Sequence, residues 1–158
     1  MRFYRDLNIK AYGVKMSESE VYQHIVQWVR DYNPDIVVIT GHDSYNQRKE
    51  DSYQNSSSFI RAVKQIREYE KSQDELIVIA GACQSNYEGL IKAGANFASS
   101  PKRINIHALD PAIIASSIAL AEKNKSIDLI SLIEKTKYGS DGIGGIITMG
   151  TMYVGYPR

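Results

Sequence analysis

The sequence is poor in several features that would point to particular classes of protein. Cys83 is the one cysteine among 158 residues, so no disulfide can form within the chain. No apolar run approaches the roughly 18–20 residues of a transmembrane helix. Basic and acidic residues number 19 and 18 and are mixed along the chain, so no basic stripe indicates nucleic acid. One cysteine and three scattered histidines argue against a structural zinc site. We therefore expect no metal, no cofactor, and neither membrane nor nucleic acid as partner.

The residues that are present form an alternating pattern of strands and helices. Hydrophobic residues make up 43% of the chain, enough for one domain with a substantial core. The order β-α-β-α-β-α predicts an α/β fold, with a mostly parallel sheet covered by helices in a three-layer sandwich. Predicted strands are 8–15, 35–40, 75–80, 95–98 and 104–108. Predicted helices follow a Ser17–Glu20 capping box, begin at Ser57 or Ser58, and span 85–92 and 110–123. Residues 127–133 fit either a strand or a helix, and 139–155 read as short strands and tight turns.

Two segments, 35–43 and 75–84, are built alike. Each is an aliphatic run that breaks at a glycine and then places one reactive side chain, His42 in the first and Cys83 in the second. If the two runs are neighbouring parallel strands, both side chains emerge at the carboxyl edge of one sheet. Open α/β sheets bind their ligands at that edge. A thiol beside an imidazole makes a nucleophile with its base.

Each residue of this pair also has a structural interpretation. A lone cysteine is usually a buried small hydrophobe. Against this, Gly81 and Ala82 break the strand before Cys83, and a helix predicted from about Ser85 would favour the thiolate through its dipole. His42 taken alone could equally be a loop residue that bonds locally, and its pairing with Cys83 favours the catalytic interpretation.

Three further residues are candidates for the same edge. His107 follows a strand-like piece and is either a second candidate base or a substrate contact. Asp43 and Asp110 either orient or charge the site, or cap a turn and a helix. The polar residues 41–55 between the first strong strand and the next helix form a long loop, and such loops often carry function.

Residues 36–42 and 76–83 resemble the caspase, gingipain and clostripain clan of cysteine peptidases, in which a His and then a Cys end adjacent parallel strands. Here Gly41 precedes His42 and Asp43 follows it, whereas the clan usually has glycine after the histidine. More closely, the chain resembles the YabG family of sporulation-specific cysteine proteases over essentially its whole length. The segments that carry this resemblance are 38–43, 80–85, 93–103, 105–111 and 142–146.

The resemblance implies a function. It predicts a cysteine endopeptidase with a Cys83/His42 dyad that processes spore coat and cortex-associated proteins, cleaving after arginine, in the cytoplasm of the sporulating cell at the forming coat. The backbone amides of Asp43 and Cys83 would form the oxyanion hole. A carboxylate must bind the substrate guanidinium, and Asp110 and then Asp141 are the candidates. Protein substrates would be the partners, and the oligomeric state stays open.

The resemblance also bears on domain organisation. It implies that residues 1–158 form a caspase-like peptidase domain that lacks its first strand and an N-terminal domain. Residues 3–7 read as the last turns of a helix, in agreement with this expectation. Arg158 is compatible with self-processing after a basic residue.

Two rival functions remain at this stage. One is a small-molecule cysteine amidase, which a peptide-cleavage assay would separate from a peptidase. The other is a non-catalytic α/β interaction module in coat assembly, in which Cys83 is inert and resists alkylation until the protein unfolds.

Overall fold

A four-stranded sheet organises the computed structural model, which describes residues 1–46 and 52–155. The strands are β1 (Ile36–Ile39), β2 (Tyr45–Asn46), β3 (Ser52–Tyr53), β4 (Ile77–Ala80), β5 (Phe97–Ser99) and β6 (Ile143–Gly145). The main sheet has the order β1-β4-β5-β6, and β2 pairs with β3 in a separate hairpin. β1, β4 and β5 run parallel, and β6 runs antiparallel to β5.

Helices cover the sheet on both sides. They are α1 (Arg2–Asp6), α2 (Val21–Tyr32), α3 (Ser56–Tyr69), α4 (Tyr87–Ala93), α5 (Asp110–Ala119) and α6 (Leu129–Ile133), with a 3-10 turn at Gly139–Asp141. On one face, α2, α3 and α4 pack against Val78 and Ala80 of β4. On the other, α5 and α6 pack against Ile77 and Ile79. Because alternate residues of a strand point to opposite faces, β4 contributes to two cores at once. The predicted mostly parallel α/β sheet in a three-layer arrangement is confirmed.

Local signals explain where several elements end. α2 stops at Tyr32 because Asn33 adopts a left-handed conformation (φ 43°) and Pro34 cannot continue the helix. α4 ends at Gly94, whose φ of 112° suits glycine. Pro111 lies in the first turn of α5, where its missing N–H costs nothing.

Other local predictions were wrong. The Ser17–Glu20 capping box does not form, because Ser17 and Glu20 lie in a turn before α2 and no side chain caps that helix. Residues 8–15 form no strand and instead line a groove beside β1. α5 ends at Ala119 rather than near 123. The ambiguous stretch 127–133 contains the helix α6.

The predicted strand at 104–108 is also absent, and the reason is visible in its hydrogen bonds. The carbonyl of Ile104 accepts from the amide of Gln84 at 3.1 Å and from the Ser100 hydroxyl at 2.6 Å. The carbonyl of Ile106 accepts from the Cys83 thiol at 3.8 Å. The carbonyl oxygens of Ile104 and Ile106 are therefore bonded to donors in neighbouring loops and do not pair with a strand.

Parts of two predictions lie outside the described residues. These are residues 47–51 of the long polar loop and Arg158. The described flanks of that loop form the β2–β3 hairpin. Within residues 1–46 and 52–155, no helix combines the length and apolar character needed to cross a membrane.

Candidate active site

The ends of β1 and β4 bring the loops that carry His42 and Cys83 to one edge of the sheet. The two strands are parallel neighbours in the register Ile39↔Ala80, and the amide of Gly81 continues the ladder with a 3.0 Å bond to the carbonyl of Ile39. Each candidate follows the last paired residue of its strand by three positions. Neighbouring strands lie about 4.8 Å apart. No hydrogen bond joins the two side chains in the described residues, so their pairing stays a prediction.

The Cys83 loop leaves one main-chain donor open. The thiol of Cys83 is partly exposed and lies 3.8 Å from the carbonyl oxygen of Ile106. The amide of Ala82 donates to the Ser85 hydroxyl at 2.6 Å, and that of Gln84 donates to the Ser100 hydroxyl at 3.1 Å. The Cys83 amide, between them, has no hydrogen-bond partner among the described residues. It is available to bind an oxyanion.

The His42 loop is shaped by two side chains from other elements. The amide of His42 donates to the Glu18 carboxylate at 3.0 Å, and its carbonyl accepts from the side-chain amide of Asn55 at 2.8 Å. The first of these bonds is the main reason that the pKa of Glu18 is lowered, and the charge of His42 adds to it. His42 itself is exposed. The next amide, that of Asp43, has no acceptor among residues 1–46 and 52–155.

The Asp43 carboxylate is buried and serves as a hydrogen-bond centre. One oxygen accepts from the amides of Ser44 and Asn55, each at 2.8 Å. The other accepts from the Ser56 hydroxyl. The structure therefore gives the side chain of Asp43 a capping role at the start of α3, one of the two roles that the sequence allowed.

Three residues in the Cys83 loop and the segment that follows β5 have an unusual backbone conformation. Gln84, Ser100 and Arg103 all have positive φ, at 57°, 66° and 55°. Such conformations cost free energy for residues other than glycine and persist only where the surroundings enforce them. Here hydrogen bonds from Gln84 to the 100–104 loop enforce them. Strain of this kind often accompanies functional sites.

The other candidates lie beside this edge or away from it. His107 is exposed, and its Nδ1 accepts from the Leu109 amide at 3.3 Å. The buried carboxylate of Asp110 accepts from the amides of His107 at 3.2 Å and Lys137 at 3.0 Å. Both its oxygens thus have protein partners. Asp141 lies exposed on the 3-10 turn.

The expected helix beside Cys83 begins later than the sequence suggested. α4 starts at Tyr87, capped by the side chain of Asn86 through a 2.9 Å bond from the amide of Gly89. Cys83 lies four positions before the first helical residue. Since the dipole acts mainly within the first turn, its effect on the thiol is weaker than the sequence implied.

Sequence reasoning missed three residues at this edge. Glu18 reaches His42 across 24 positions, and the side chain of Gln84 accepts from the Tyr45 amide across 39, at 3.1 Å. Ser56 bonds to Asp43 across 13 positions. No local pattern marks such long-range contacts, so only the fold reveals them.

The described residues also contain no cluster of side chains suited to bind a metal ion. In 1–46 and 52–155, no three or more His, Cys, Asp or Glu side chains are grouped so that they could hold an ion.

Comparisons with known proteins identify the family of the chain. The family model described as YabG peptidase U57 matches residues 1–157. A curated relative, the sporulation-specific protease YabG of Bacillus subtilis (strain 168), is 38% identical over 162 residues, which cover 99% of this chain and 56% of the relative. The chain thus spans about half the length of that relative. No solved structure matches the chain.

Proposed function

The chain belongs to the YabG peptidase U57 family, and from that premise we propose that it is a sporulation protease of the cysteine class, with Cys83 as nucleophile and His42 as general base. The observation that carries this proposal is the parallel β1–β4 pairing, in which the two residues occupy equivalent positions at one sheet edge. Hydrogen bonds between catalytic groups are often long in the absence of substrate, so the missing direct bond does not count against the pair.

The chemistry divides into two steps. His42 takes the proton of the Cys83 thiol, and the sulfur attacks the peptide carbonyl to give a tetrahedral oxyanion. The C–N bond then breaks, the protonated His42 gives its proton to the leaving amine, and a thioester remains. Water, deprotonated by His42, hydrolyses the thioester and restores the thiol.

The open amides support an oxyanion hole made of the Cys83 and Asp43 N–H groups. Donors that already point at the developing negative charge lower the barrier because they need no reorganisation. The flanking amides of His42, Ala82 and Gln84 are all engaged by protein acceptors. The caspase-like character of this arrangement is part of the proposal.

We propose spore coat and cortex-associated proteins as substrates, cleaved after arginine at the forming coat in the sporulating cell. An exposed carboxylate is needed to bind the guanidinium. Asp141 is exposed and fits this requirement. Asp110 is 1% exposed and its oxygens accept two backbone amides, so of the two candidates we prefer Asp141. An Asp141→Asn variant should then raise KM for arginine peptides. Unchanged KM would exclude Asp141.

The decisive experiment follows Cys83 alkylation between pH 5 and 9. We expect fast labelling below pH 7 that falls at least about tenfold in His42→Ala, because an isolated thiol is ionised only near pH 8.5. His107→Ala is the matched control and should label as the wild type does. Collapse in His107→Ala alone would move the base to His107. Labelling that is slow and unaffected by either change would favour an inert cysteine in an interaction module.

A cleavage assay with peptides that contain arginine completes the test. Cys83→Ala should lose all cleavage, because the nucleophilic sulfur is gone. It should keep its circular dichroism spectrum, because alanine retains the Cβ of cysteine and introduces no larger group. Wild-type activity in that variant would exclude the cysteine mechanism. Hydrolysis of small amides without peptide cleavage would indicate the amidase.

The open edge of β1 supports the expected domain organisation, and we propose that a further strand pairs there in the longer family protein. In the parallel ladder, residues 35 and 39 bond to β4, so the alternate residues 36, 38 and 40 direct their backbone groups away from it. Those groups have no partner in the described residues. A groove of about 740 Å³, lined by side chains that include Ile9, Tyr12 and Trp28, runs along the same edge.

Hydrogen exchange can test this pairing. The amides of Val38 and Thr40 should exchange without protection in the 158-residue chain. The amides aligned with them in the full-length Bacillus subtilis relative should be protected by a strand. Equal, fast exchange in both proteins would contradict the proposal.

A further inference from the structure

The Ser56 hydroxyl connects the two loops that carry the proposed dyad, and we propose that Ser56 is a positioning residue for His42 and Cys83. This inference rests on the proposed function. Ser56 is the first residue of α3 and is 1% exposed. It lies in neither of the segments that end in the reactive residues.

The hydroxyl bonds to both loops at once. It donates to the carboxylate of Asp43, the neighbour of His42. It accepts from the amide of Asn86, three residues after Cys83, at 2.8 Å. A serine hydroxyl has one proton to give and lone pairs to accept with, so a single group satisfies both partners. The result is a continuous chain from Asp43 through Ser56 to Asn86.

The chain is anchored in the core. Phe59, Val63 and Ile66 of α3 are fully buried, so the first turn of the helix is held against the sheet. The carboxylate of Asp43 also caps this turn through the Asn55 amide. A hydroxyl on such a turn is held in a fixed position. The sheet does not fix the two loops in the same way, because His42 and Cys83 each lie three residues beyond the last paired residue of their strand.

A second contact ties the loops together on their outer side. The Tyr45 amide donates to the side chain of Gln84 at 3.1 Å. Gln84 is half-buried, whereas Ser56 is buried. A hydrogen bond in the drier environment is electrostatically stronger, so the link through Ser56 contributes more to the relative placement of the loops.

Removal of the hydroxyl should alter loop placement specifically. In Ser56→Ala, an Asp43 oxygen and the Asn86 amide each lose a buried partner, and both groups will move toward other partners or water. Because both are close in sequence to the dyad, His42 and Cys83 should separate while the α3 core stays packed. A geometric error of about 1 Å can cost about two orders of magnitude in rate.

The experiment measures the pH dependence of Cys83 alkylation in Ser56→Ala, with Ser57→Ala as matched control and Ser56→Thr as rescue. Ser57 is the exposed neighbour on the same turn. We expect Ser56→Ala to lose at least about tenfold in labelling rate at pH 6, a shift of about one pH unit in the midpoint. Ser57→Ala should match the wild type, and Ser56→Thr should recover at least half of the loss.

Two further readouts make the outcomes distinct. The Asn86 amide should exchange faster in Ser56→Ala than in wild type, which reports the link without reference to chemistry. A folded Ser56→Ala with the wild-type pH profile would overturn the positioning role and leave the proposed function standing. If Ser56→Ala does not fold, the isosteric Asp43→Asn takes its place, with the same expected shift. Unfolding of both variants would also overturn the inference, since the link would then serve stability alone.

Discussion

At the scale of single residues, Gly81 joins the centre of the sheet to the candidate nucleophile. Its φ is 121°, a conformation that side chains rarely adopt, and a Cβ there would lie 3.0 Å from the Cβ and 3.1 Å from the backbone nitrogen of Ser99. The glycine is therefore required both by its own backbone and by the close approach of β5. Its position two residues before Cys83 couples this packing to the site.

We expect Gly81→Ala to lower the free energy of unfolding by more than about 2 kcal/mol, through backbone strain together with overpacking. Gly139→Ala is the comparison, because Gly139 also has positive φ (52°) but nothing lies within 4 Å of the added Cβ. That variant should lose only about 1 kcal/mol. Urea unfolding measures both. Equal losses would show that the contact with Ser99 is unimportant.

At the scale of elements, the ends of the helices decide where each chain segment returns to the sheet. α2 ends with the Asn33 amide donating to the Val29 carbonyl at 2.9 Å while Asn33 itself is left-handed. The chain then turns through Pro34 directly into β1. Since β1 leads to His42, the left-handed cap of α2 lies on the path that sets the position of the proposed base.

The conformation of Asn33 leads to a paired prediction. Asn33→Ala should lower the free energy of unfolding by about 1 kcal/mol, because alanine pays the full cost of a left-handed backbone. Asn33→Gly should stay within about 0.5 kcal/mol of wild type, because glycine adopts this conformation freely. Chemical denaturation of the two variants checks this. A cost for glycine equal to that for alanine would point to a role for the asparagine side chain.

At the scale of the whole molecule, ion pairs and hydrogen bonds to carboxylates connect parts of the chain that the sheet does not. Arg103, in the loop after β5, makes a bidentate bond with Glu88 of α4, at 2.5 and 3.2 Å. That bond is the main reason that the pKa of Glu88 is lowered. The pKa of Glu18 is lowered chiefly by the His42 amide. Both contacts lie near the candidate edge.

These shifts give the molecule a defined response to acid. A carboxylate whose folded pKa is depressed stabilises the fold above its unfolded value, here 4.5, and loses that contribution as the pH falls through the lower folded pKa. Glu88→Gln should therefore cost less than about 1 kcal/mol at pH 7, since the Glu88 side chain is largely exposed, and this cost should shrink as the pH falls below 4.5. Denaturant unfolding across this pH range tests this, with the exposed Glu68→Gln as control. A cost that does not change with pH would rule out the ionic origin.

The sequence by itself determined the strands β1 and β4 and the strand ends that the candidates follow. The aliphatic runs at 35–40 and 75–80 are readable because fully buried parallel strands need continuous apolar residues, and β4 is buried on both faces. A glycine after each run marks the strand end. The alternation of apolar runs and helical patterns predicted the α/β class and the mostly parallel sheet, whereas the pairing of β1 with β4 came from the structure.

Tertiary structure alone decided which side chains support that edge. Glu18, Ser56 and Gln84 reach the two loops across 24, 13 and 39 positions, and hydrogen bonds over such separations leave no periodic trace in a sequence. Tertiary structure also decided which of the predicted strands form. Residues 8–15 and 104–108 have suitable composition, but a strand forms only where a partner offers its free backbone groups, and that is a property of the assembled fold.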